Sequence, residues 1–214
     1  MGERRYDSLR RLEQAQRTRA DIAEAARRLF VAQGWAATTV RDVAREAGVS
    51  VPTVYAAYRN KTGLVRALAD AADLTADLPR LLGELEATSA PAAQLAAMAA
   101  FDRRLFERAG DLIALVREAG RTEPELAAVY REARKTADQT RVQVFTSWPE
   151  GTLRPDLPTA VDSYAGLCNI DVYTTFTVER GWSPAQVERW WAEVLVRTLL
   201  DERPGNRVTR SGAR

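Results

Sequence analysis

The amino-acid sequence predicts an all-α fold, and three observations carry that prediction. Strong helix formers dominate: 37 of the 214 residues are alanine, with Leu, Arg and Glu abundant beside them. No stretch sustains the period-two alternation of a half-buried strand. Apolar residues recur instead at helical spacing, between glycines, prolines and capping side chains.

The elements follow in order. From about Thr18 to Gln33, Ile22, Ala26, Leu29 and Phe30 line one helical face, and Gly34 ends it. Val40, Val43, Ala44 and Ala47 repeat at i, i+3, i+4, i+7. Thr39 precedes them with Asp42 three residues on, a variant of the capping box. Gly48 stops this short helix. Ser50 caps the next, which tolerates Pro52 in its first turn and runs to about Tyr58. Asn60 caps a helix predicted from Lys61 to about Leu82, and residues 83–91 read as a break. Helices are then expected over 92–108 and 111–119, separated at Gly110. Another is expected from a Thr122/Glu125 capping box to about Thr146. Residues 148–158, with three prolines and a glycine, read as the longest loop. A helix from about Thr159 to Arg180 ends at Gly181. The last one opens at Ser183-Pro184-Ala185-Gln186, a capping box with Pro at its first position, and runs to about Glu202.

Composition narrows the function. The chain has no histidine, which removes the commonest general base and zinc ligand, and a single cysteine, Cys168. No intrachain disulfide or Cys-rich metal site can form, and Cys168 reads as a small buried hydrophobe. No Gly-rich phosphate loop is present, and Asp102 and Asp171 have no partner that spacing identifies. The expectation is a non-enzyme without cofactor or metal. No run approaches the roughly 18 apolar residues of a membrane span, and the N-terminus is charged unlike a signal peptide, so a cytoplasmic location is expected.

The net charge of +2 hides a strong asymmetry. Residues 1–70 carry +5, residues 71–202 carry −7, and the tail from 203 carries four arginines and no acid. A basic head on an acidic body suggests a head that faces a polyanion. The implied organisation is a basic flexible arm over 1–16, a head over 17–62, a helical body over 63–202 and a disordered tail over 203–214. Arg4, Arg5, Arg10 and Arg11 of the arm suit either a DNA contact or idle disorder.

Within the head, residues 39–58 place a short helix, a glycine turn and a second short helix. Ala44 is small where the two must cross, Gly48 supplies a permissive turn, and Val49 and Val54 fix the crossing. This is the spacing of a helix-turn-helix, whose second helix projects into a major groove. The stretch Thr39–Leu64, with Thr39, the Ala44–Ser50 block, Tyr55, an aromatic at Tyr58, Lys61 and Leu64, resembles the DNA-binding domain of the tetracycline-repressor (TetR) family. The Ile22–Phe30 helix and Gly34 look like that family's first helix. Tyr58 stands where the family usually has Phe, Ala57 where a polar or aromatic residue is common, and Pro52 where Gly or Ala is frequent. The likeness is strong over about residues 17–70. The resemblance implies a three-helix DNA-binding domain followed by a larger helical domain for effector binding and dimerisation. It implies a bacterial, ligand-responsive transcriptional regulator, expected to be a homodimeric repressor on a palindromic double-stranded DNA operator.

Side-chain chemistry distributes the DNA roles. Tyr55, with a hydroxyl on a rigid ring, suits a phosphate; Lys61, at a helix start, and Thr39 are placed similarly. Arg41, Val51, Pro52 and Thr53 suit base edges, through guanidinium hydrogen bonds or methyl contacts, and Ser50 at the cap joins this set. Tyr55 and Tyr58 also suit core positions.

In the body, two apolar stripes stand out. Val161, Tyr164, Ala165, Cys168, Val172 and Phe176 form one; Val187, Trp190, Trp191, Val194, Leu195 and Leu199 form the other. In the resembling family two such helices per subunit pair into a four-helix bundle. That implies a dimer interface of Val172, Phe176, Val187, Trp190, Trp191, Val194 and Leu195, with intrachain core as the alternative for the Trp pair. The family also implies a small-molecule effector pocket, for which Met98, Phe101, Asp102, Tyr130, Arg134, Trp148, Tyr164, Asn169 and Tyr173 are the candidate lining. No feature identifies the effector.

Overall fold

The computed structural model describes residues 2–72 and 77–201, with side chains described at residue 10 and from residue 12 onward. The helices are α1 (Gly2–Ala37), α2 (Val40–Glu46), α3 (Val51–Tyr58), α4 (Lys61–Ala71) and α5 (Leu78–Glu86). There follow α6 (Pro91–Ala119), α7 (Pro124–Thr146), α8 (Leu157–Leu167), α9 (Ile170–Thr174), a π-helical turn (Thr175–Glu179) and α10 (Pro184–Leu199). Among the described residues the β-pairing is limited to an antiparallel bridge between Leu153 and Leu200. The fold is all-α, as the helical periodicity predicts.

The chain forms two compact units. The first holds α1–α4 together with Ala109–Ala133; the second holds α5 through Arg108 and the chain from Arg134 onward.

In the first unit, Ile22, Ala26 and Phe30 of α1 pack with Val43 and Ala44 of α2, Val54 of α3, and Leu64, Val65 and Leu68 of α4. Leu112, Leu115, Val116 and Leu126 close the same core. Each fully buried aliphatic side chain contributes roughly 1.5–3 kcal/mol through loss of water contact. Gly34 breaks the helical path inside α1 at φ 76 and ψ 178, and Trp35 then folds back to stack on Phe30 with centroids 5.9 Å apart. In the second unit, Leu95, Met98, Phe106, Tyr164, Cys168, Tyr173, Val187, Trp191, Leu195 and Leu199 are all buried.

Several expectations are corrected. The helix predicted from Lys61 to Leu82 ends at Ala71, and α5 follows from Leu78. Gly83 lies inside α5 and Gly110 inside the 29-residue α6, because their helix-forming flanks outweigh a glycine cost of about 1 kcal/mol. The helix predicted over 159–180 breaks at Cys168, where the Asn169 side chain accepts from the N–H groups of Asp171 and Val172 and caps α9. The last helix stops at Leu199. Where the charge count set a flexible arm over 1–16, α1 runs through residues 2–16, a stretch rich in Arg, Glu, Gln and Leu. The tail over 203–214 lies outside the described residues. The division after residue 62 also changes, since α4 buries Leu64, Val65 and Leu68 in the core it shares with α1.

Candidate functional site

The local chemistry of α2 and α3 builds a rigid helix pair. Thr39 caps α2 reciprocally: its Oγ1 accepts from the Asp42 N–H (3.1 Å), while its own N–H and hydroxyl donate to Asp42 Oδ2 (3.2 and 2.6 Å). The Thr39 hydroxyl bond, the largest influence, holds the Asp42 carboxyl below its usual range. Gly48 takes φ 66 in the turn, and the Val49 N–H donates to the Ala44 carbonyl at 2.9 Å. Ser50 caps α3 by accepting from the Thr53 N–H, and its hydroxyl lies 2.8 Å from that of Thr53.

Amphipathicity then orients α3. Val54 and Tyr58 are buried, while Pro52, Tyr55 and Ala56 are exposed at i, i+3, i+4. Tyr58 belongs to the core: its hydroxyl donates to the Arg19 carbonyl at 2.8 Å, under the Arg19 guanidinium. Tyr55 is half exposed, with its ring standing out from the helix. Val51 and Thr53 are partly covered, and Arg41 is exposed on α2.

Two expected phosphate ligands are otherwise engaged. Both donors of Thr39, its N–H and its hydroxyl, go to Asp42. Lys61 Nζ lies 3.9 Å from the centroid of the Trp35 ring and donates to the Trp35 carbonyl. Burial lowers the Lys61 pKa, against the charges of Glu123 and Glu118. Lys61 therefore fastens the end of α1 to the start of α4, a role its place in the sequence does not reveal.

Four arginines of this unit are ion-paired. Arg27 is bidentate to Asp111, Arg28 meets Glu24 and Glu46, Arg45 meets Asp42, and Arg66 meets Glu125. Arg41 and Arg59 meet no carboxylate among the described residues.

The residues proposed for an effector divide between the units. Tyr130 packs on the core of the first. In the second, Tyr164 Oη donates to Asp102 Oδ2 at 2.9 Å, and Arg141 lies 4.0 Å from the same oxygen and 4.8 Å above the Tyr164 ring. All three are buried. Burial pushes the Asp102 carboxyl up, against the pull of Arg141, the Tyr164 hydroxyl and Arg134. It pushes the Tyr164 hydroxyl and the Cys168 thiol well up, with the Asp102 charge adding to both. Arg134 donates to the Ala165 carbonyl, and the Trp148 indole N–H donates to Gln94 Oε1 at 2.5 Å. Met98 is buried, Phe101 is partly covered, and Asn169 is engaged as the cap of α9. Sequence reasoning missed Arg141 and Gln94, whose partners Asp102 and Trp148 lie tens of residues away and leave no local signal.

The dimer candidates divide as well. Val187, Trp191 and Leu195 are fully buried within the chain, so they are core and not surface. Trp191 packs against Phe106 and Tyr173, with centroids 6.1 Å away in both cases, and its Nε1 is buried without a protein partner. Val172, Phe176, Trp190 and Val194 remain partly exposed. Phe176 packs against Trp182 and Trp190 at 4.4 and 4.7 Å, beside Val178, which is 76% exposed.

Comparison with known proteins centres on the first unit. Residues 22–68 match the family model "Bacterial regulatory proteins, tetR family". The HTH-type transcriptional regulator TtgR of Pseudomonas putida is 48% identical over 65 residues, 30% of this chain. That match spans only 31% of TtgR, about a third of its length. Over the whole fold, the chain is similar to a putative transcriptional regulator from Saccharomonospora viridis in complex with choline, with TM-score 0.70, 17% identity, and 87% and 99% of the two chains covered. It is also similar to SmeT in complex with triclosan, with TM-score 0.62, 18% identity, and 86% and 92% covered. At such identities these two likenesses speak for the fold alone. The N-terminal helix-turn-helix over residues 22–68 is thus that of the tetR family of bacterial regulatory proteins, and the whole chain shares the fold of the solved regulators it resembles.

Proposed function

We propose that this protein is a sequence-specific DNA-binding transcriptional regulator, a homodimeric repressor that a small-molecule effector releases from a palindromic operator in the cytoplasm. The observation that carries the proposal is the exposed Pro52–Tyr55–Ala56 face of α3, held on a rigid helix pair inside the segment that matches the family model. In this assignment α3 enters the major groove. Val51, Pro52 and Thr53 meet base edges with Ser50 at the cap, Arg41 reads a base from α2, and Tyr55 donates to a phosphate. Few polar side chains line that face, so methyl contacts and DNA shape carry much of the selectivity.

Homodimerisation is supported by the partly exposed face of Val172, Phe176, Trp190 and Val194, extended by Trp182 and Val178. Twofold symmetry would set two recognition helices about 34–36 Å apart, one turn of DNA. Effector response is supported by the choline and triclosan complexes of the structural relatives. It is also supported by the buried indole N–H of Trp191, a donor that an acceptor group on a ligand would satisfy. A coupling of about 1–3 kcal/mol would change operator affinity roughly 5- to 150-fold. Among the described residues no helix is long and apolar enough to cross a membrane.

The test is footprinting of the purified protein on DNA upstream of its own gene, with sedimentation to give the stoichiometry. The expected result is two protected half-sites about one helical turn apart, occupied by one dimer, with release by a ligand found in a small-molecule screen. A folded protein that protects no site, or that binds only as a monomer, would overturn the proposal.

A further inference from the structure

Arg59 is the one non-glycine residue with positive φ among the described residues. It stands at the C-terminal end of α3 with φ 66 and ψ −51. The Asn60 N–H donates to the Tyr58 carbonyl at 2.8 Å, which closes a γ-turn centred on Arg59. That conformation is strained for any residue with a β-carbon, and glycine adopts positive φ without the penalty. The turn nevertheless presents an arginine.

Nothing in the fold accounts for its side chain. Arg59 is exposed, and its guanidinium meets no carboxylate among the described residues. Its position is informative. Arg59 follows directly on α3, whose Pro52, Tyr55 and Ala56 are exposed as well, so the turn sets a cation beside the end of the helix that presents that face. The turn is also supported from the far side. Asn60 Oδ1 accepts from the Gly63 N–H at 2.6 Å, and the missing side chain of Gly63 leaves room for the Tyr58 carbonyl.

We infer that Arg59 is a DNA-backbone contact whose guanidinium takes a phosphate oxygen at the edge of the groove that α3 enters. This inference rests on the DNA-binding function proposed above and adds a residue to it. A guanidinium suits a phosphate because its N–H groups match two phosphate oxygens in one plane. The contact positions the protein without reading a base, so it acts on every sequence.

The experiment measures binding to a short mixed-sequence duplex and to DNA upstream of the gene, by fluorescence anisotropy from about 50 to 200 mM salt. The variants are Arg59→Gly, Arg59→Lys and Arg66→Ala, whose arginine is paired with Glu125. Arg59→Gly is expected to keep or raise the melting temperature while weakening both duplexes, with a log–log salt slope shallower by about 0.9. Arg59→Lys is expected to keep most of the slope, and Arg66→Ala all of it. Wild-type slope and affinity in Arg59→Gly, or an equal loss in Arg66→Ala, would overturn the inference. If the wild-type protein binds neither duplex, the DNA-binding proposal itself fails, an outcome distinct from a silent Arg59 in a protein that binds.

Discussion

A β-carbon on Gly63 would stand 2.1 Å from the carbonyl oxygen of Tyr58, closer than any real side chain tolerates. The obstacle is backbone, so it cannot swing aside as a flexible side chain could. Gly63 thereby permits α4 to start directly behind the turn that ends α3.

Gly63→Ala sets two effects against each other. Alanine favours helix over glycine by about 1 kcal/mol, while a forced clash in a packed site costs typically 1–3 kcal/mol or more. The clash is expected to win, with a net loss of stability. Gly83→Ala has no such conflict, because its β-carbon meets nothing within 4 Å and the residue lies within α5. That variant is expected to gain about 0.5–1 kcal/mol. Thermal denaturation of the two variants should give melting shifts of opposite sign; shifts of the same sign would contradict this account.

Lys61→Ala should act on the fold before it acts on DNA. The side chain lies over the Trp35 ring and donates to the Trp35 carbonyl, so its loss is expected to cost about 1–2 kcal/mol. For a chain of this size that is a melting shift of several degrees. An unchanged melting point together with a shallower salt dependence of DNA binding would return Lys61 to the role of phosphate ligand.

Tyr55→Phe removes one exposed hydroxyl and leaves the ring. Stability is expected to stay within about 0.5 kcal/mol. DNA affinity should fall about tenfold or more on all sequences alike, the scale of one hydrogen bond to a charged oxygen. Arg41→Ala should instead narrow the gap between the operator and its single-base variants. A selection of bound sequences with each protein separates the two behaviours, and identical sequence preferences in all three proteins would dismiss Arg41 as a reader.

The buried Asp102 gives the second unit a pH dependence of defined sign. Burial raises its folded pKa above the unfolded value, so folding takes up a proton in the interval between them. The titration therefore stabilises the fold fully below the unfolded aspartate value, near pH 4, and the benefit fades as pH rises through the folded value. Asp102→Asn removes this pH dependence, while Arg141 keeps its bond to the Asp138 carboxylate at 2.5 Å. The stability difference between wild type and Asp102→Asn should shrink as pH rises from about 4 towards 7. A difference that grows over that interval would show that Arg141 holds Asp102 ionised.

The helix-turn-helix was legible because its determinants are local. Thr39 with Asp42, Ser50 with Thr53 and Asn60 with Gly63 sit three residues apart, and each pair forms a cap in the structure. The exposure of Tyr55 leaves its hydroxyl available for the proposed phosphate contact, whereas Thr39 and Lys61 have intrachain partners, Asp42 and Trp35, that the sequence does not show. Arg59 was not legible, because the γ-turn that marks it exists only in three dimensions. The second unit was harder. Asp102, Arg141 and Tyr164 meet across three helices, and nothing in their spacing announces it. Trp190 and Trp191 are adjacent in sequence and equal in hydrophobicity, and only the rotation of α10 sends Trp191 inward and leaves Trp190 partly exposed. Gly83 and Gly110 were misread as breaks because a glycine stops a helix only where its surroundings also favour stopping.

The most direct test of the central claim is the salt dependence of binding to DNA upstream of the gene, measured by anisotropy with the wild-type protein. A regulator that contacts about 6–10 phosphates should lose roughly 10³–10⁵ in affinity between about 50 and 200 mM salt. A folded protein whose DNA binding is absent, or indifferent to salt over that range, would contradict the assignment of the basic helix-turn-helix head to DNA.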